Sequence, residues 1–389
     1  MKIKMKLVLP EKLAAVRLRS GRRVLLTVLG LAVLTTVGVA QPALAGKKQK
    51  LIEEFAPFSD CPVTEAQACV YSRTTGGEFT IGKKSVPINK TLVLQGGLPA
   101  TIIADLKKEE SLLAAADGNT LSRTPLTVPG GLTGIKGLEG EEVTATAEIA
   151  GPVSSVRINK WNLLTAEGTA LTLPLKVKLS SSVLGEECYI GTDAEPILLH
   201  LTTGKTSPPS PNTPISGTHG TVRGKDNGNF LEVIGSSLVD NSFSVPGATG
   251  CGGALSFLID PIIDVDIGLP AAAGSNTAIM ESSLVQGNTD YVVQYWPTPT
   301  ITNISPNTGP KAGGTLVTVT GTGFGPGSAV TAFAFGKVLG TSVNCISNTT
   351  CTVVAPADSA KKAGPVDVRV TVHNKTSKKN PPADQVTYE

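Results

Sequence analysis

The feature that most constrains this chain is a short strand-like run held between glycine clusters near its C-terminal end. The run, residues 315–320 with the sequence TLVTVT, follows a pair of glycines and precedes three more. Val317 and Val319 lie on one face of this run, and Leu316, Thr318 and Thr320 lie on the other, which is the period of a β-strand. Since glycine and proline favour tight turns over regular helix, the segment from Thr298 to Phe324 predicts a strand between two turns.

The composition extends this reading to the whole chain. Its 389 residues include 42 glycines and 27 prolines, with 40% hydrophobic but only 4% aromatic residues. Glycine and proline interrupt helices, so long helical arrays are excluded and the core must be built from small and branched side chains. We therefore predict an all-β protein with a large N-terminal β-sandwich-like domain at residues 46–295 and a smaller C-terminal β-sandwich at 297–389.

The first 45 residues have the pattern of a secretory signal peptide. A basic segment ends at Arg23, an apolar run spans residues 24–40, and Ala43-Leu44-Ala45 supplies small residues for cleavage. We predict Sec-type export with cleavage after Ala45, and the alternative is an uncleaved membrane anchor. The mature protein is then expected outside the cell or at its surface.

Removal of this segment reverses the net charge of the chain. The full sequence carries 34 basic and 31 acidic residues, and residues 1–45 hold eight of the basic and one of the acidic residues. The remaining 26 basic and 30 acidic residues give a net charge of −4. A chain with more acid than base lacks the basic surface that nucleic-acid binding needs, so this class of partner is excluded.

An even number of cysteines agrees with export. The pairing that keeps each bridge inside one predicted structural unit is Cys61–Cys69, Cys188–Cys251 and Cys345–Cys351. No two cysteines have C-x-x-C spacing, so neither a redox motif nor a zinc site is indicated.

The region from residue 46 to residue 295 reads as a series of strands. We predict strands at 79–81, 91–94, 143–149, 156–158, 171–179, 198–201, 230–234, 254–259, 262–267 and 291–295, a short one near Ile279, and a single helix of note at 104–116. The Pro-rich segment 204–217 is interpreted as an ordered loop, because Cys188 and Cys251 flank it and their pairing would join the two sides. An interdomain linker is the alternative.

Two stretches of this region are similar to uncharacterised secreted proteins of actinobacteria. They are GEECYIGTDAEPILLHLTTGKTSPPSPNTPISG from Gly185 and LIDPIIDVDIGLPAAAGSNTAI from Leu258. The resemblance implies secretion and adds no chemistry.

The C-terminal segment, residues 297–389, continues with short strands separated by turns. Further strands are predicted at 329–336, 340–343, 351–356, 366–373 and 385–388, and the strand from Val366 places four valines on one face. The segment resembles the IPT/TIG family of immunoglobulin-like modules. The matching residues are Ile301 to Pro306 with Gly309, GGTLVTVTGTGFG from Gly313, AFG from Ala334, CTVVAP from Cys351 and VDVRVTV from Val366. The resemblance implies an immunoglobulin-like sandwich that acts as an interaction or spacer module, with no catalytic residues of its own.

Three aspartates form the one candidate site for a metal. On a continuous strand, Asp260, Asp264 and Asp266 would project from the same face, and three carboxylates could bind calcium. The alternative is that they are solvated residues opposite Ile263, Val265 and Ile267. Pro261 argues against a continuous strand here.

No enzyme motif accompanies the chain's three histidines, since neither G-x-S-x-G nor H-E-x-x-H occurs, and we expect no cofactor. We predict a secreted or cell-surface, non-enzymatic binding or adhesion protein that recognises an extracellular protein or polysaccharide. One alternative is a carbohydrate-binding or enzyme-accessory protein that uses Trp161 or Trp296. The other is an extracellular hydrolase that uses Asp260, Asp264 or Asp266.

Overall fold

The structure of this chain is a computed structural model that describes residues 56–133, 141–325, 331–358 and 364–389. The strands of these residues form four sheets, in which most neighbouring strands are antiparallel. The predicted signal peptide, residues 1–45, lies outside the described residues. The prediction of an all-β fold is confirmed, because strands dominate and helices are few and short.

The first two sheets contain the strands that precede residue 289. In chain order these are β1 (Ala68–Ile81), β2 (Lys84–Pro87), β3 (Leu92–Leu98), β4 (Glu109–Ser111), β5 (Leu126–Thr127), β6 (Thr144–Ile149), β7 (Arg157–Asn159), β8 (Leu171–Ser180), β9 (Tyr189–Ile190), β10 (Ile197–Leu201), β11 (Thr221–Lys225), β12 (Phe230–Asp240), β13 (Ala248–Thr249) and β14 (Thr277–Asn288). One sheet has the order β11-β12-β14-β1-β2, with β3 also paired to β1. The other has the order β13-β9-β8-β6-β5, with β10 and β7 paired to β8 and β4 paired to β7.

The long strand β1 holds the first sheet together and contains a bulge. Its register against β14 shifts between Thr74 and Gly76. Gly77 adopts φ +99°, and a Cβ there would lie 2.0 Å from the carbonyl oxygen of Ile279. Only glycine fits this position, which lies just beyond the bulge and lets β1 pass close to β14.

The inner faces of these two sheets share one core of aliphatic side chains. It runs from Val70 and Leu98 in the first sheet to Leu173 and Leu199 in the second. A buried ion pair lies in the same part of the chain: Lys160 Nζ is 2.9 Å from Glu110 Oε1, and both side chains are 2% exposed. Lys160 also donates to the carbonyl oxygens of Thr101 and Ala104.

The C-terminal strands form two further sheets over a second core. They are β15 (Thr300–Ser305), β16 (Thr308–Gly309), β17 (Leu316–Thr322), β18 (Thr331–Phe335), β19 (Val338–Leu339), β20 (Thr341–Cys345), β21 (Thr350–Val354), β22 (Gly364–Val372), β23 (Lys375–Thr376) and β24 (Gln385–Tyr388). One sheet has the order β15-β17-β21-β20, and the other β16-β24-β22-β18-β19 with β23 beside β22. Val368, Val370 and Val372 of β22 are fully buried, as their alternation predicts.

In the residues that the structure describes, α-helix occurs in three short segments. They are α1 (Lys160–Thr165), α2 (Ser256–Ile267) and α3 (Thr289–Tyr295), and one-turn 3-10 helices occur at Ala56–Phe58, Val153–Ser155, Asp226–Gly228 and Gly253–Leu255. No helix in the described part of the chain is long and apolar enough to cross a membrane. The helix predicted at 104–116 is wrong, since that segment contains turns and β4. The strands predicted at 254–259, 262–267 and 291–295 are also wrong, since these residues form α2, its preceding turn and α3.

The C-terminal core extends into the residues that precede it. Trp296 is 4% exposed and belongs to the same cluster as Phe324 and Phe333, together with Phe58 and Val292. The indole nitrogen of Trp296 donates to the carbonyl oxygen of Gly323 (3.0 Å). From the other side, Lys375 Nζ donates to the carbonyl oxygens of Gln294 and Trp296. These contacts fasten α3 to the C-terminal sheets.

We expect the loss of one partner of the buried ion pair to be strongly destabilising. Lys160→Met should lower the free energy of unfolding by about 3–5 kcal/mol, because it leaves Glu110 as an uncompensated buried charge. Lys178→Met is the matched control, since its partner Glu186 is 92% exposed, and we expect it to change stability by less than about 1 kcal/mol. Urea denaturation followed by circular dichroism measures both. Equal effects of the two variants would contradict the importance of the buried pair.

The junction should also respond to pH through His373. Burial, and secondarily Lys375, lower the pKa of this histidine, whose ring packs edge-on against Trp296 at 5.0 Å between centroids. The folded state therefore binds the proton less readily than the unfolded state. Stability is complete above the unfolded pKa of about 6.5 and falls as the pH drops from there toward the lowered folded pKa.

His373→Asn should flatten this dependence, because asparagine does not titrate. The variant should keep the fold, because asparagine tolerates the positive φ of +46° found at this position. The measurement compares unfolding free energies of the two proteins at about pH 7.5 and about pH 5.5. An unaltered pH slope in the variant would assign the dependence to other groups.

Candidate recognition surface

Helix α2 carries all three aspartates that the sequence singles out. Ile259, Ile263 and Ile267 recur every fourth residue and turn toward the N-terminal core, with Ile263 0% exposed. Gly268 ends the helix in the left-handed region, at φ +84°, and donates its N–H to the carbonyl oxygen of Asp264. The helix therefore has one face fixed against the body of the protein.

The carboxylates of the helix turn toward neighbouring backbone rather than toward one another. Asp260 accepts hydrogen bonds from the N–H groups of Gly250 (3.1 Å) and Cys251 (2.8 Å). Asp264 accepts one from the N–H of Ala248 (2.7 Å). Both carboxylates thus hold the segment that precedes the helix.

Asp266 serves a different neighbour at the C-terminal end of the helix. It accepts hydrogen bonds from the N–H and the hydroxyl of Thr133 and pairs with Lys84 Nζ at 3.1 Å. Partial burial raises the pKa of Asp266, but the hydrogen bonds from Thr133 and Lys84 outweigh it, so the net pKa lies below its ordinary value. The carboxylate is therefore ionised at neutral pH.

The predicted calcium site does not assemble in this arrangement. On a helix, Asp260, Asp264 and Asp266 do not share one open face, and each carboxylate already has its own hydrogen-bond donors. Among the residues that the structure describes, no group of three or more His, Cys, Asp or Glu side chains is placed to hold a metal ion.

The opposite face of α2 is apolar and open to solvent. Phe257 is 70% exposed, Leu258 53% and Val265 72%, and Leu255 lies exposed just before the helix. Leu258, Pro261 and Val265 follow the spacing of one helical face. Pro261 has no N–H, so the carbonyl oxygen of Phe257 receives no helical hydrogen bond from it. We call Leu255, Phe257, Leu258, Pro261 and Val265 the α2 face.

Sequence reasoning missed the α2 face because the same residues also alternate. Ile263, Val265 and Ile267 with the intervening aspartates imitate a strand, and a strand would place Val265 in the core beside the isoleucines. The spacing of Ile259, Ile263 and Ile267 is the signal that favours a helix. In the helix, Val265 turns outward and the aspartates turn inward.

The disulfides anchor the segments around these elements. The structure joins Cys61 to Cys69, Cys188 to Cys251 and Cys345 to Cys351, which are the pairs that the spacing predicts. Cys251 is the residue whose N–H donates to Asp260, so the second bridge and the aspartate fix the same turn.

The Pro-rich segment 204–217 folds back on itself between β10 and β11. Its two ends meet through hydrogen bonds from Gly217 N to Gly204 O (2.8 Å) and from Thr206 N to Ile215 O (2.9 Å). In its centre, Asn212 donates to the carbonyl oxygens of Asn241 and Asn276. The segment is therefore packed against the N-terminal sheets.

Both tryptophans already have partners within the protein. Trp296 is buried at the junction described above. Trp161 donates its indole N–H to Glu167 and has the ammonium group of Lys107 4.8 Å from its ring centroid. A carbohydrate platform built on Trp296 would require the C-terminal core to open, because Trp296 is buried within it.

We expect Asp260→Ala to destabilise the protein by about 1.5–3 kcal/mol, because two backbone N–H groups lose a charged acceptor. The loss should be the same with added calcium or with a chelator, and thermal melting in the two buffers measures it. Asp290→Ala, in the first turn of α3, is the control substitution. A melting temperature that rises with calcium in the wild type but not in Asp260→Ala would restore the metal hypothesis.

Comparison with known proteins identifies the C-terminal part. Residues 299–388 match the family described as IPT/TIG domain. Among solved structures, a Bacteroides thetaiotaomicron protein of unknown function is 24% identical over 24% of this chain and 22% of its own, with a TM-score of 0.21. The gamma-CGTase of an alkalophilic Bacillus clarkii is 12% identical over 63% and 26%, with a TM-score of 0.19.

The full extracellular region of plexin A4 is 14% identical over 68% of this chain and 32% of its own, with a TM-score of 0.21. This chain thus spans between 22% and 32% of the length of these three structures. The two C-terminal sheets and the family match agree with each other. Residues 299–388 of this chain are an IPT/TIG domain.

Proposed function

We propose that this protein is an extracellular, non-enzymatic binding protein whose partner docks on the α2 face. One observation carries the proposal: the helix exposes Phe257, Leu258 and Val265 while it turns every one of its carboxylates inward. Scattered exposed apolar residues are normal in folded proteins, but several on one helix face mark an interaction site.

The partner that fits this face is a protein with an apolar groove. The residues of the α2 face are all apolar, and Lys83 lies at its border, where its ammonium group donates to the carbonyl oxygen of Val265 (2.9 Å). Apolar residues at helical spacing are the anchors that a groove reads in helix recognition. Full burial of each large apolar side chain contributes about 1.5–3 kcal/mol. The carbonyl oxygen of Phe257 adds one acceptor for a partner's hydrogen-bond donor.

Strand addition at a sheet edge is the competing mode of recognition, and the structure favours it less. The edge strand β11 has all five of its residues exposed. Arg223 and Lys225 lie on it, and charged side chains on an edge strand oppose pairing with another chain. The edge is thus protected, whereas the α2 face is not.

The disulfides and the type of the C-terminal domain support an extracellular role. Three disulfides and an IPT/TIG domain fit a protein that works outside the cell. In this proposal the IPT/TIG domain spaces or orients the N-terminal domain, and the N-terminal domain carries the contact. Export by the predicted signal peptide belongs to the same proposal.

We expect a double substitution, Phe257→Ser with Val265→Ser, to abolish capture of the partner and leave the fold intact, because both side chains are more than two-thirds exposed. Pull-down from extracellular and envelope fractions, with photocrosslinking from position 258, identifies the partner. Isothermal titration with that purified partner then measures a fall in affinity of at least tenfold.

The matched control is Leu316→Ser with Leu339→Ser in the IPT/TIG domain, where the two leucines are 58% and 62% exposed. This control should bind the partner with unchanged affinity. Loss of binding in the control, with binding retained by the α2 variant, would move the recognition surface to the IPT/TIG domain and overturn the proposal.

A further inference from the structure

A narrow apolar cavity lies between the two N-terminal sheets. Phe79, Ile81 and Val86 line it from the first sheet, and Ala145, Ala147 and Val177 line it from the second. Its volume is about 80 Å³, and almost all of its surface is carbon. The α2 helix closes one part of it with Ile267.

The cavity has a cause in the sequence. Packed sheets stand about 10 Å apart, and side chains from both inner faces must fill the space between them. Strand β6 turns Ala145 and Ala147 inward, and these short side chains leave part of the space empty. Phe79, Ile81, Val86 and Val177 pack against the same core and are only partly buried.

The size and shape of the cavity select among apolar ligands. An apolar cavity of about 150 Å³ stays dry and binds benzene, whereas this cavity has only about half that volume. Side chains from eight strands, from β1 to β10, line it, so an occupant would touch both sheets. A slender chain fits such a space better than a ring.

One charged group lies at the border of the cavity. Lys84 lines it, and two of the three donors of its ammonium group are directed at Asp266 (3.1 Å) and at the carbonyl oxygen of Gly131 (3.0 Å). No other charged side chain lines this cavity in the described part of the chain. Because Asp266 neutralises the ammonium group, a neutral acceptor suits its third donor better than a second carboxylate does.

We propose that this cavity binds the end of a single unbranched acyl chain, with the carbonyl oxygen of the acyl group accepting a hydrogen bond from Lys84. The chain lies between Ala145 and Ala147 on one side and Phe79 and Ile81 on the other. The site is separate from the α2 face and does not depend on the function proposed for it. Ester lipids supply this chemistry directly, and free fatty acids supply it only when their carboxyl group is protonated.

Calorimetric titration with methyl esters of straight-chain acids, from butanoate to decanoate, tests the site. Each added methylene should raise the affinity about threefold to fourfold until the cavity is full, after which the affinity should level off. Methyl cyclohexanecarboxylate should bind at least tenfold more weakly than the straight-chain ester with the same number of carbons. Absence of binding across the series, or equal binding of the ring, overturns the proposal.

Two substitutions fill the cavity from neighbouring positions, Ala147→Phe and Ala145→Leu. Either one, if its melting temperature shows a folded protein, should abolish ester binding. Thr146→Phe is the matched control, because Thr146 alternates with these alanines and does not line the cavity. Binding that survives in both folded, filled variants would place the ligand elsewhere and overturn the proposal.

Two further experiments test the hydrogen bond from Lys84 and the head group of the ligand. Lys84→Met should lower the affinity for every ester by about fivefold, the equivalent of one hydrogen bond, and an unchanged affinity would refute the role of Lys84. Tighter binding of octanoate than of methyl octanoate identifies a free fatty acid as the source, and the reverse order identifies an ester lipid. The Phe257→Ser with Val265→Ser protein should bind the esters as the wild type does, which separates this site from the α2 face.

Discussion

The hydrogen bonds from Gly250 and Cys251 to the carboxylate of Asp260 decide the character of the N-terminal domain's surface. A carboxylate that accepts from two backbone N–H groups is well satisfied away from bulk water. Asp264 repeats the arrangement one turn later with Ala248. With these two residues directed inward, the rotation of α2 about its axis is fixed. The outward positions then fall to Phe257, Leu258 and Val265.

The same rotation of α2 places its last turn beside the cavity and beside Lys84. Ile267 reaches the cavity between the sheets, and Asp266 reaches Lys84 at its border. The disulfide from Cys188 to Cys251 restrains the segment in front of the helix. A helix of twelve residues is marginal in isolation, so these tertiary contacts are what maintain it.

Much of the C-terminal domain could be read from its sequence because each strand there has one buried and one solvated face. The valines of β22 alternate with polar residues, and glycines mark the ends of β17, so period and punctuation agree. The three disulfide pairs follow from spacing for a similar reason, since each pair closes a loop within one structural unit. The N-terminal strands with mixed faces, such as β6 and β8, were also found by their alternation.

The helix α2 could not be read in this way, because Ile263, Val265 and Ile267 satisfy the strand period as well as they satisfy part of the helical one. The choice between helix and strand depends on the N–H groups of Gly250, Cys251 and Ala248, which donate to Asp260 and Asp264. These groups meet the two carboxylates only in the folded chain. The segment 104–116 shows the converse. Its residues favour a helix locally, but Glu110 is drawn into the core by Lys160, and β4 pairs with β7 instead.

The cavity and the α2 face share one structural element, and this has a thermodynamic consequence. Ile267 lines the cavity, Val265 lies on the α2 face, and the two residues are separated by Asp266, whose partner Lys84 borders the cavity. A ligand that changes the Lys84–Asp266 contact therefore acts on the helix that carries the exposed residues. If it alters the affinity of that face for a partner, the partner must alter the affinity of the cavity by the same factor, because coupling between two binding sites is reciprocal.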